Sequence, residues 1–430
     1  MATWLKGLNG QKVADVGCGT GNLILSYLEL IGRDEARNLI LDGNLYLYDL
    51  DKTALSICRH TIALLYGDDL LGKINAICGD FLDKDIAIPN DCKVISNPPY
   101  AKITAISSQW QQTSVQKESR ELYAAFLEKI SQQSKSAVVI TPYSFCGARK
   151  FFSLRKVMSE RNGFIVSFDN VPGNIFKGQK HGIFNSNHAN SVRASITVLE
   201  NSGTAGIRLS PLIRFSTAER KQLLDVLVLE KLIGLKKQKV SDKEQKFRKC
   251  FREIEPIADS WQKRSTEKLG DLIQQRPNDF RIEIPNTCRY FCVASSKELK
   301  RTGKHVVFAK NQEAFDYLYA FVNSSFLYLQ WRMYDGGINL TSELLKTTPT
   351  FFHLVKDKGR LRDLVEQVKS EEENYLVYKP NANALQENIK FPLSVRDSFN
   401  KILLNSLDLK ASERVFDLIH SNCIFAEAQR

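Results

Sequence analysis

Short apolar runs alternate with longer amphipathic stretches over the first 200 residues of the chain. The runs are bounded by Gly, Pro, Asn or Asp, which is typical of buried strands. They lie at 11–16, 45–49, 74–79, 93–96, 136–142, 164–170 and 194–200. Segments with helical spacing of apolar residues separate them, as at 52–66 and 121–130. Because strands that alternate with helices pair in parallel, we predict an α/β domain with a mostly parallel sheet and helices on both faces.

The pattern changes after this domain, which we place at 1–205. Residues 217–255 combine helical spacing with many charges, so we predict a basic helical connector over 206–262. The remainder, 263–430, mixes strand-like and helical segments and is predicted to be a separate α+β domain. Its expected elements are strands at 289–296 and 305–309, a helix at 313–331 and a helix start at Thr341.

The net charge of +12 is concentrated in the predicted connector. Residues 206–265 hold 15 basic and 8 acidic side chains, more than half of the total excess. Such a stretch suits a polyanion, and nucleic acid is the first expectation. Lys236, Lys237 and Lys239 are the candidate DNA contacts. A solvated helix surface would give the same composition, so charge alone leaves both interpretations open.

The composition limits the class of protein. With 43% hydrophobic and 25% charged residues, the chain is neither collagen-like nor mostly disordered. No apolar run reaches the length of about 18 residues that a membrane span needs, and the first residues do not resemble a signal peptide. Nine cysteines are scattered without metal or disulfide spacing. We therefore predict a cytoplasmic protein with reduced thiols, no metal site and no membrane contact.

A glycine-rich motif follows the first predicted strand. It runs from Asp15 through Gly17, Gly19 and Gly21 to Asn22, where a helix is predicted to start. Glycines at such a turn allow a sharp bend and the close approach of backbone to a ligand. The spacing differs from the G-x-G-x-x-G of dinucleotide-binding folds. By itself the motif indicates either a small-molecule site or a tight turn without a ligand.

Acidic residues follow the next two predicted strands. Asp49 ends the second strand, where a carboxylate can accept hydrogen bonds from both hydroxyls of a ribose. Asp51 is predicted to cap the following helix. Asp80 and Phe81 follow the third strand. Asp80 can accept a hydrogen bond from an adenine amino group, and the ring of Phe81 can pack on the base.

The most specific motif closes the fourth predicted strand, and it is Asn97-Pro98-Pro99-Tyr100. Two prolines fix the backbone and remove two N–H donors. The side-chain oxygen of Asn97 and the carbonyl of Pro98 are then two acceptors that suit the hydrogens of one NH₂ group. Tyr100 supplies a flat face for a stacked ring. The motif thus predicts recognition of a planar amine or amide.

In this order the four motifs resemble the S-adenosylmethionine-dependent N6-adenine DNA methyltransferases of restriction–modification systems. The likeness is to the group in which the cofactor motif precedes NPPY and a recognition domain follows, and it covers about residues 11–200. It implies a Rossmann-like methyltransferase domain, a C-terminal DNA-binding domain that recognises the target, and a bacterial or archaeal cell. Double-stranded DNA would be the partner, with the target adenine flipped out of the stack.

The resemblance implies a role for each motif. The cofactor-binding residues that it implies are Asp15, Gly17, Gly19, Gly21, Asp49, Asp80 and Phe81. The catalytic residues that it implies are Asn97, Pro98, Pro99 and Tyr100. In this scheme the glycine motif holds the methionine end of S-adenosylmethionine, and the two acidic motifs hold its ribose and adenine.

Other segments are less specific. The polar, basic loop at 177–193 contains Arg193, a candidate DNA contact, but it can equally be a surface loop. Phe176 and Phe184 are candidates for a second aromatic residue against the target base, and neither is assigned. Residues 323–325 resemble an Asn-Ser pair of recognition domains, with an ordinary core helix as the alternative.

The partners and the substrate leave alternatives open. In the resembling group a further cofactor element usually precedes the glycine motif, whereas only residues 1–11 do so here. A second subunit that completes the cofactor site is therefore one expectation, and a separate nuclease is another. NPPY also serves methyltransferases of RNA adenine or protein glutamine. A non-catalytic DNA-recognition subunit is the third alternative, and the long C-terminal part favours DNA over the others.

Overall fold

The computed structural model describes residues 1–170, 172–176, 192–216, 218–241, 245–335, 337, 339–381, 384–409 and 411–421. The chain divides into two compact units, Met1–Lys249 and a second one that begins at Cys250. Each unit buries apolar side chains of its own. Within the described ranges, no helix has both the length and the apolar character to cross a membrane.

An eight-stranded sheet forms the centre of the first unit. Its strands are β1 (Lys12–Val16), β2 (Leu45–Asp49), β3 (Asn75–Cys78), β4 (Cys92–Ser96), β5 (Ser136–Pro142), β6 (Asn162–Phe168), β7 (Ala194–Glu200) and β8 (Gly206–Ile213). They lie side by side in the order β3-β2-β1-β4-β5-β7-β6-β8. Only β7 runs antiparallel to its neighbours in this sheet. The prediction of a mostly parallel α/β sheet is confirmed.

Helices connect the strands of the first unit. They are α1 (Ala2–Gly7), α2 (Asn22–Ile31), α3 (Arg33–Leu41), α4 (Lys52–Tyr66), α5 (Ser114–Ser119), α6 (Leu122–Gln133), α7 (Phe152–Ser159) and α8 (Val226–Lys231). Two predicted starts are confirmed, because α2 begins at Asn22 and α4 at Lys52. The Asp51 carboxylate caps α4 by accepting from the amides of Thr53 and Ala54 at 2.8 and 3.2 Å.

The strand register brings four chain segments to one edge of the sheet. Val16, the last residue of β1, pairs with Tyr48 of β2 and with Ser96 of β4, while Asp49 pairs with Cys78. The chain leaves β1 towards β2 and β3 and then crosses to β4 on the other side. In open α/β sheets, ligands bind beyond the carboxyl ends of the strands at such a reversal.

The predicted boundary at residue 205 and the helical connector are wrong. Residues 206–213 are β8, at the edge of the sheet, and the first unit continues to Lys249. Beyond α8 the described residues up to 254 form no helix. Gln238 instead exchanges two backbone hydrogen bonds with Ile207 of β8, at 3.0 and 2.9 Å. Val240 and Phe247 join the core of the first unit, so tertiary burial overrides the helical pattern.

The second unit is a mixture of helices and small antiparallel sheets, as predicted. Its helices are α9 (Glu255–Arg264), α10 (Gln312–Asn323), α11 (Phe326–Tyr334), α12 (Ser342–Thr347), α13 (Lys358–Ser370), α14 (Leu393–Ser406) and α15 (Asp417–His420). Its strands are β9 (Glu267–Lys268), β10 (Ile273–Gln274), β11 (Arg281–Pro285), β12 (Lys304–Ala309), β13 (Pro349–Thr350), β14 (Leu376–Asn381) and β15 (Ala384–Ile389). They form a three-stranded and two two-stranded sheets.

Two local predictions for this unit are wrong. Residues 289–296 are not a strand, and only Ser295 forms an isolated bridge, with Glu283. The helix expected at 313–331 is two helices, because the chain breaks at Ser324 and Ser325. Ser325 donates its amide to the Oδ1 of Asn400 at 2.8 Å, which replaces a helical hydrogen bond. The helix start at Thr341 is confirmed, since its hydroxyl accepts from the amide of Leu344.

Candidate active site

The glycine turn and the NPPY motif are direct neighbours at the carboxyl edge of the sheet. A Cβ added at Gly17 would lie 3.8 Å from the carbonyl oxygen of Asn97. The hydroxyl of Ser96 donates to the carbonyl of Val16 at 2.6 Å and ties the two strand ends together. On the other side, the amide of Gly17 donates to the carbonyl of Tyr48 at 2.9 Å.

The four motifs follow one another along this edge. Asp80 comes after β3, Asp49 ends β2, the glycine turn follows β1, and Asn97 follows β4. Neighbouring strands lie about 5 Å apart, so the series spans about 15 Å. The Gly79 amide donates to the Asp49 carbonyl at 3.1 Å, which joins the two acidic positions. A single extended ligand can therefore contact all four segments.

The glycine turn has a backbone that side chains rarely adopt. The φ angles of Gly17, Gly19 and Gly21 are +72°, +53° and +96°. A Cβ at Gly21 would lie only 2.6 Å from the sulfur of Cys58, so packing against α4 requires this glycine. At Gly19, in contrast, no described atom lies within 4 Å of the Cβ position. Its backbone therefore faces space that a ligand can enter.

Asp15 is a buried carboxyl group beneath the turn, with a relative exposure of 1%. Its Oδ2 accepts from the amide of Ile24 at 3.2 Å, and its Oδ1 has no donor among the described residues. Burial raises the pKa of Asp15 to about 7, and the nearby Asp49 carboxylate adds to the shift. An unsatisfied acceptor in this position fits a ligand that carries an N–H donor or a positive charge.

Asp49 is fixed by two backbone amides. Its Oδ2 accepts from Gly19 at 2.7 Å and its Oδ1 from Asp51 at 2.9 Å. Each carboxylate oxygen retains a lone pair, which suits the two hydroxyls of a ribose. Leu50, the next residue, is 73% exposed although it is apolar. Sequence reasoning missed Leu50, and its place directly after the acidic strand end was the available signal.

Asp80 and Phe81 differ in how well they fit their predicted roles. The Asp80 carboxylate is half-buried and accepts from the amide of Leu82 at 3.0 Å and from the indole of Trp110 at 2.9 Å. Phe81 is only 3% exposed, and its ring packs against Tyr48 and Phe126 in the core. The expected packing of Phe81 on a bound base is therefore not what this structure shows, because the ring is buried in the core.

The NPPY motif presents its acceptor at the surface. Asn97, Pro99 and Tyr100 are exposed, while Pro98 is buried. The phenol of Tyr100 donates to the Asn97 Oδ1 at 2.7 Å and approaches the Ile140 carbonyl at 3.3 Å. Burial of the phenol oxygen raises the pKa of Tyr100, so it stays a neutral donor. This bond fixes the orientation of the Asn97 amide and leaves one lone pair of its oxygen for a second donor.

A second aromatic residue lies next to Tyr100. The ring of Phe176 is 5.6 Å from that of Tyr100, with an interplanar angle of 68°. Arg220 donates to the carbonyls of Asn174 and Ile175 at 2.9 and 2.8 Å, which holds the segment that carries Phe176. Sequence reasoning left open the choice between Phe176 and Phe184. The structure brings Phe176 to the motif, and Phe184 lies outside the described residues.

The candidate DNA contacts lie at two different edges of the sheet. Arg193 precedes the antiparallel β7, whose first residue pairs with the last residue of β5, so it lies at the same edge as NPPY. Arg193 is buried and forms an ion pair with Asp169 at 2.8 Å, so its proposed contact with DNA is wrong for this structure. Lys237 is exposed and donates to Asn162, the first residue of β6, and to the carbonyl of Thr204. Lys237 and its two partners lie near the amino ends of β6 and β8, at the edge opposite NPPY.

Lys236 and Lys239 flank Lys237 and are also exposed. Apart from Arg193 and residue 192, the loop predicted at 177–193 lies outside the described residues.

In the second unit, Asn323 is buried and makes two hydrogen bonds to the backbone of Ala294, at 2.8 and 3.2 Å. Among the described residues, no group of three or more His, Cys, Asp or Glu could hold a metal ion.

The fold and the arrangement of the motifs resemble those of methyltransferases: a doubly wound sheet with a glycine turn and an amine-acceptor motif at its reversal point. A comparison of the sequence with protein families indicates which kind of methyltransferase it resembles. Residues 93–176 match the family described as Eco57I restriction-modification methylase. This segment contains NPPY, Trp110 and Phe176, and it confirms the resemblance to restriction–modification methyltransferases. No curated protein matches the chain.

Several solved structures are similar in fold. One, described as part of the type I restriction–modification system, is 12% identical, covers 53% of this chain and 49% of its own, and has a TM-score of 0.37. The M protein of the type I restriction enzyme EcoKI is 11% identical. The match covers 87% of this chain and 71% of that protein, with a TM-score of 0.38. The protein in a DrdV–DNA complex is 12% identical. The match covers 84% of this chain and 54% of that protein, with a TM-score of 0.43. The chain thus spans between 49% and 71% of the lengths of these three proteins.

Proposed function

We propose that the chain is an S-adenosylmethionine-dependent DNA methyltransferase that methylates N6 of adenine in a restriction–modification or phage-defence system. The observation that carries this proposal is the contact of NPPY with the glycine turn. Two acceptors that suit an amine thereby lie beside the proposed cofactor site, and the match of residues 93–176 to a methylase family supports the same reaction.

The residues at the sheet edge fit the cofactor. The unsatisfied Oδ1 of Asp15 would accept from the amino group at its methionine end, and the open backbone at Gly19 would admit that end. Asp49 would hold the ribose hydroxyls, and Asp80 the amino group of the adenine. When bound, the cofactor supplies a methyl group on a positively charged sulfur.

The chain's own contribution to the chemistry is to prepare the target nitrogen. The exocyclic nitrogen of adenine is a weak nucleophile because its lone pair is delocalised into the ring. The Asn97 Oδ1 and the Pro98 carbonyl would accept its two hydrogens, which favours a pyramidal nitrogen with an available lone pair. The Tyr100 hydroxyl holds the Asn97 amide in position for this. Positioning and electrostatics then supply most of the rate.

Tyr100 and Phe176 would bind the base itself. Their rings contact each other edge to face at the mouth of the motif, so a base can displace this contact and stack on one or both rings. A base inside a duplex is out of reach of such a site, and the target must flip out. Double-stranded DNA in the cytoplasm is therefore the proposed partner.

Two other substrates and further partners remain part of the proposal. An RNA adenine or a protein glutamine also presents a planar NH₂ group to the Asn97 and Pro98 acceptors. A second subunit that completes the cofactor site and a separate nuclease are further proposed partners.

Transfer of a labelled methyl group tests the proposal. The full chain is incubated with S-adenosylmethionine labelled in the methyl group and, separately, with plasmid DNA, RNA or a protein extract. Label in DNA as N6-methyladenine is expected, and Asn97→Ala should abolish it. Asn38→Ala, at an exposed position of α3, is the control and should keep full activity. Label only in RNA or protein would contradict the choice of DNA.

A further inference from the structure

Trp110 lies in the chain segment between NPPY and α5, and this segment folds back onto the loop after β3. The Lys84 amide donates to the carbonyl of Gln109 at 3.0 Å, and Asp83 and Trp110 form an isolated β-bridge. The Trp110 side chain is 9% exposed. A large aromatic residue is thus built into the loop that carries Asp80, at the end of the site proposed for the cofactor adenine.

The indole of Trp110 fixes the Asp80 carboxylate. Its N–H donates to Oδ2 at 2.9 Å, while Oδ1 accepts from the amide of Leu82 at 3.0 Å. With one donor on each oxygen, the carboxylate cannot rotate without breaking a charge-assisted hydrogen bond. Each oxygen still has a lone pair for one more donor. The group is therefore an oriented acceptor that has no donor of its own to offer.

Lys129 of α6 binds the backbone of the loop after β3, which carries Asp80. Its ammonium group donates to the carbonyls of Phe81, Asp83 and Ile86 at 2.6, 2.8 and 2.6 Å. Three hydrogen bonds to one loop satisfy all donors of the ammonium group. Burial lowers the pKa of Lys129 to about 8, so the group is mostly charged at pH 7. Lys129 thus ties three carbonyls of the loop together, and Trp110 sets the direction of the Asp80 carboxylate.

We propose that Trp110 is a positioning residue that makes the cofactor site select a nucleoside with a 6-amino group. The inference rests on the proposed function and deepens it. An amino group at position 6 of the purine donates to the free lone pair of Asp80. A carbonyl oxygen in the same place, as in inosine, has no donor for the carboxylate and repels it. A site built to accept a hydrogen bond from its ligand rejects an analogue that lacks the donor.

The test compares two ligands that differ only at this position. Binding of S-adenosylhomocysteine and S-inosylhomocysteine to the full chain is measured by calorimetry. The wild-type protein should prefer the adenosyl ligand by at least about tenfold. In Trp110→Phe the preference should fall to about threefold or less, because the affinity for the adenosyl ligand drops and that for the inosyl ligand changes little.

Trp4→Phe is a matched control. Trp4 has 7% exposure and also donates its indole N–H to a carboxylate, that of Glu230 at 2.8 Å, but it belongs to α1. Its replacement should leave the ligand preference unchanged. If Trp110→Phe does not fold, β-(3-benzothienyl)alanine at position 110 keeps the ring shape without the N–H donor, and the same loss of preference is expected from it.

The outcomes separate this inference from the proposed function. A wild-type protein that discriminates, with the same preference in the Trp110 variants, would overturn the role of Trp110 alone. A wider preference in the variants would also overturn it, since the indole would then compete with adenine for Asp80. A wild-type protein that binds neither ligand would overturn both the cofactor site and the inference.

Discussion

The amide nitrogen of Gly19 lies 2.7 Å from the Oδ2 of Asp49 and donates a hydrogen bond to it. This bond links the turn after β1 to the end of β2, so one carboxylate both shapes the glycine turn and faces the proposed ribose position. The residue two positions on, Asp51, has a purely local task as the cap of α4. Replacing each of the two acids in turn therefore separates an effect on ligand binding from an effect on the stability of the fold.

Asp49→Ala should weaken binding of S-adenosylhomocysteine by at least about tenfold, because two charge-assisted hydrogen bonds to hydroxyls and the support of the Gly19 amide are lost. Asp51→Ala removes a helix cap and should cost about 1 kcal/mol of stability without a change in ligand affinity. Calorimetry and thermal unfolding of both variants provide the measurement. Equal effects on affinity would show that Asp49 acts only through the fold.

Gly19→Ala should abolish cofactor binding at a modest cost in stability. The residue has a φ of +53°, which strains alanine by about 1 kcal/mol, and the new methyl group would enter the proposed ligand space. Gly43 is the control, since it has a φ of +68° and equally open surroundings but precedes β2 at the other edge. Gly43→Ala should lose similar stability and keep its ligand affinity. Loss of affinity in both would contradict the assignment.

Asp15→Asn should stabilise the protein at high pH. The pKa of Asp15 is raised from 3.8 to about 7 in the folded state, so folding holds an extra proton between these values and stability falls as pH rises through them. Asparagine carries no such penalty. The gain at pH 8 should be about 1–3 kcal/mol and should shrink towards pH 5, as measured by thermal unfolding.

The same variant should lose cofactor binding, because its amide cannot carry the charge that a cationic ligand favours. In the wild-type protein, affinity for S-adenosylmethionine should fall as pH drops below about 7, and this dependence should be smaller in Asp15→Asn. A variant that is less stable at pH 8, or that binds as well as wild type, would show that Asp15 is a structural acceptor only.

Replacement of Lys236, Lys237 and Lys239 by Gln should weaken DNA binding broadly and flatten its salt dependence. Each lost phosphate contact lowers the slope by about 0.9, so the change is up to about 3. Because Lys237 lies at the edge opposite NPPY, the turnover rate at saturating DNA should not change. Binding titrations at several salt concentrations measure the slope. An unaltered slope would mean that the basic stretch faces solvent.

Phe176→Leu should lower the turnover rate by about tenfold and leave the affinity for S-adenosylhomocysteine unchanged, because stacking on the flipped base is lost while the cofactor residues stay in place. DNA with 2-aminopurine at the target position should show a smaller rise in fluorescence with this variant. Full turnover together with a normal fluorescence signal would contradict a role of Phe176 at the base.

Local patterns determined much of the fold. The apolar runs that predicted β1, β2, β4, β5 and β7 coincide with strands, because each is short, lies between turn residues and alternates with an amphipathic helix that covers the sheet. The glycine motif and NPPY are also local, since proline and glycine restrict or free the backbone whatever surrounds them. Their adjacency could be anticipated from chain order, because parallel strands end at the same edge.

Only the tertiary structure decided the rest. Phe81 and Arg193 look like ligand contacts in the chain, but burial makes one a core ring and the other half of an ion pair. The charged 217–255 stretch has helical spacing, yet pairing with β8 and burial of Val240 and Phe247 override it. Trp110 and Phe176 reach the site from loops without a motif. Such contacts depend on packing between distant segments, which no local pattern encodes, whereas strands, turns and caps depend on neighbours in the chain.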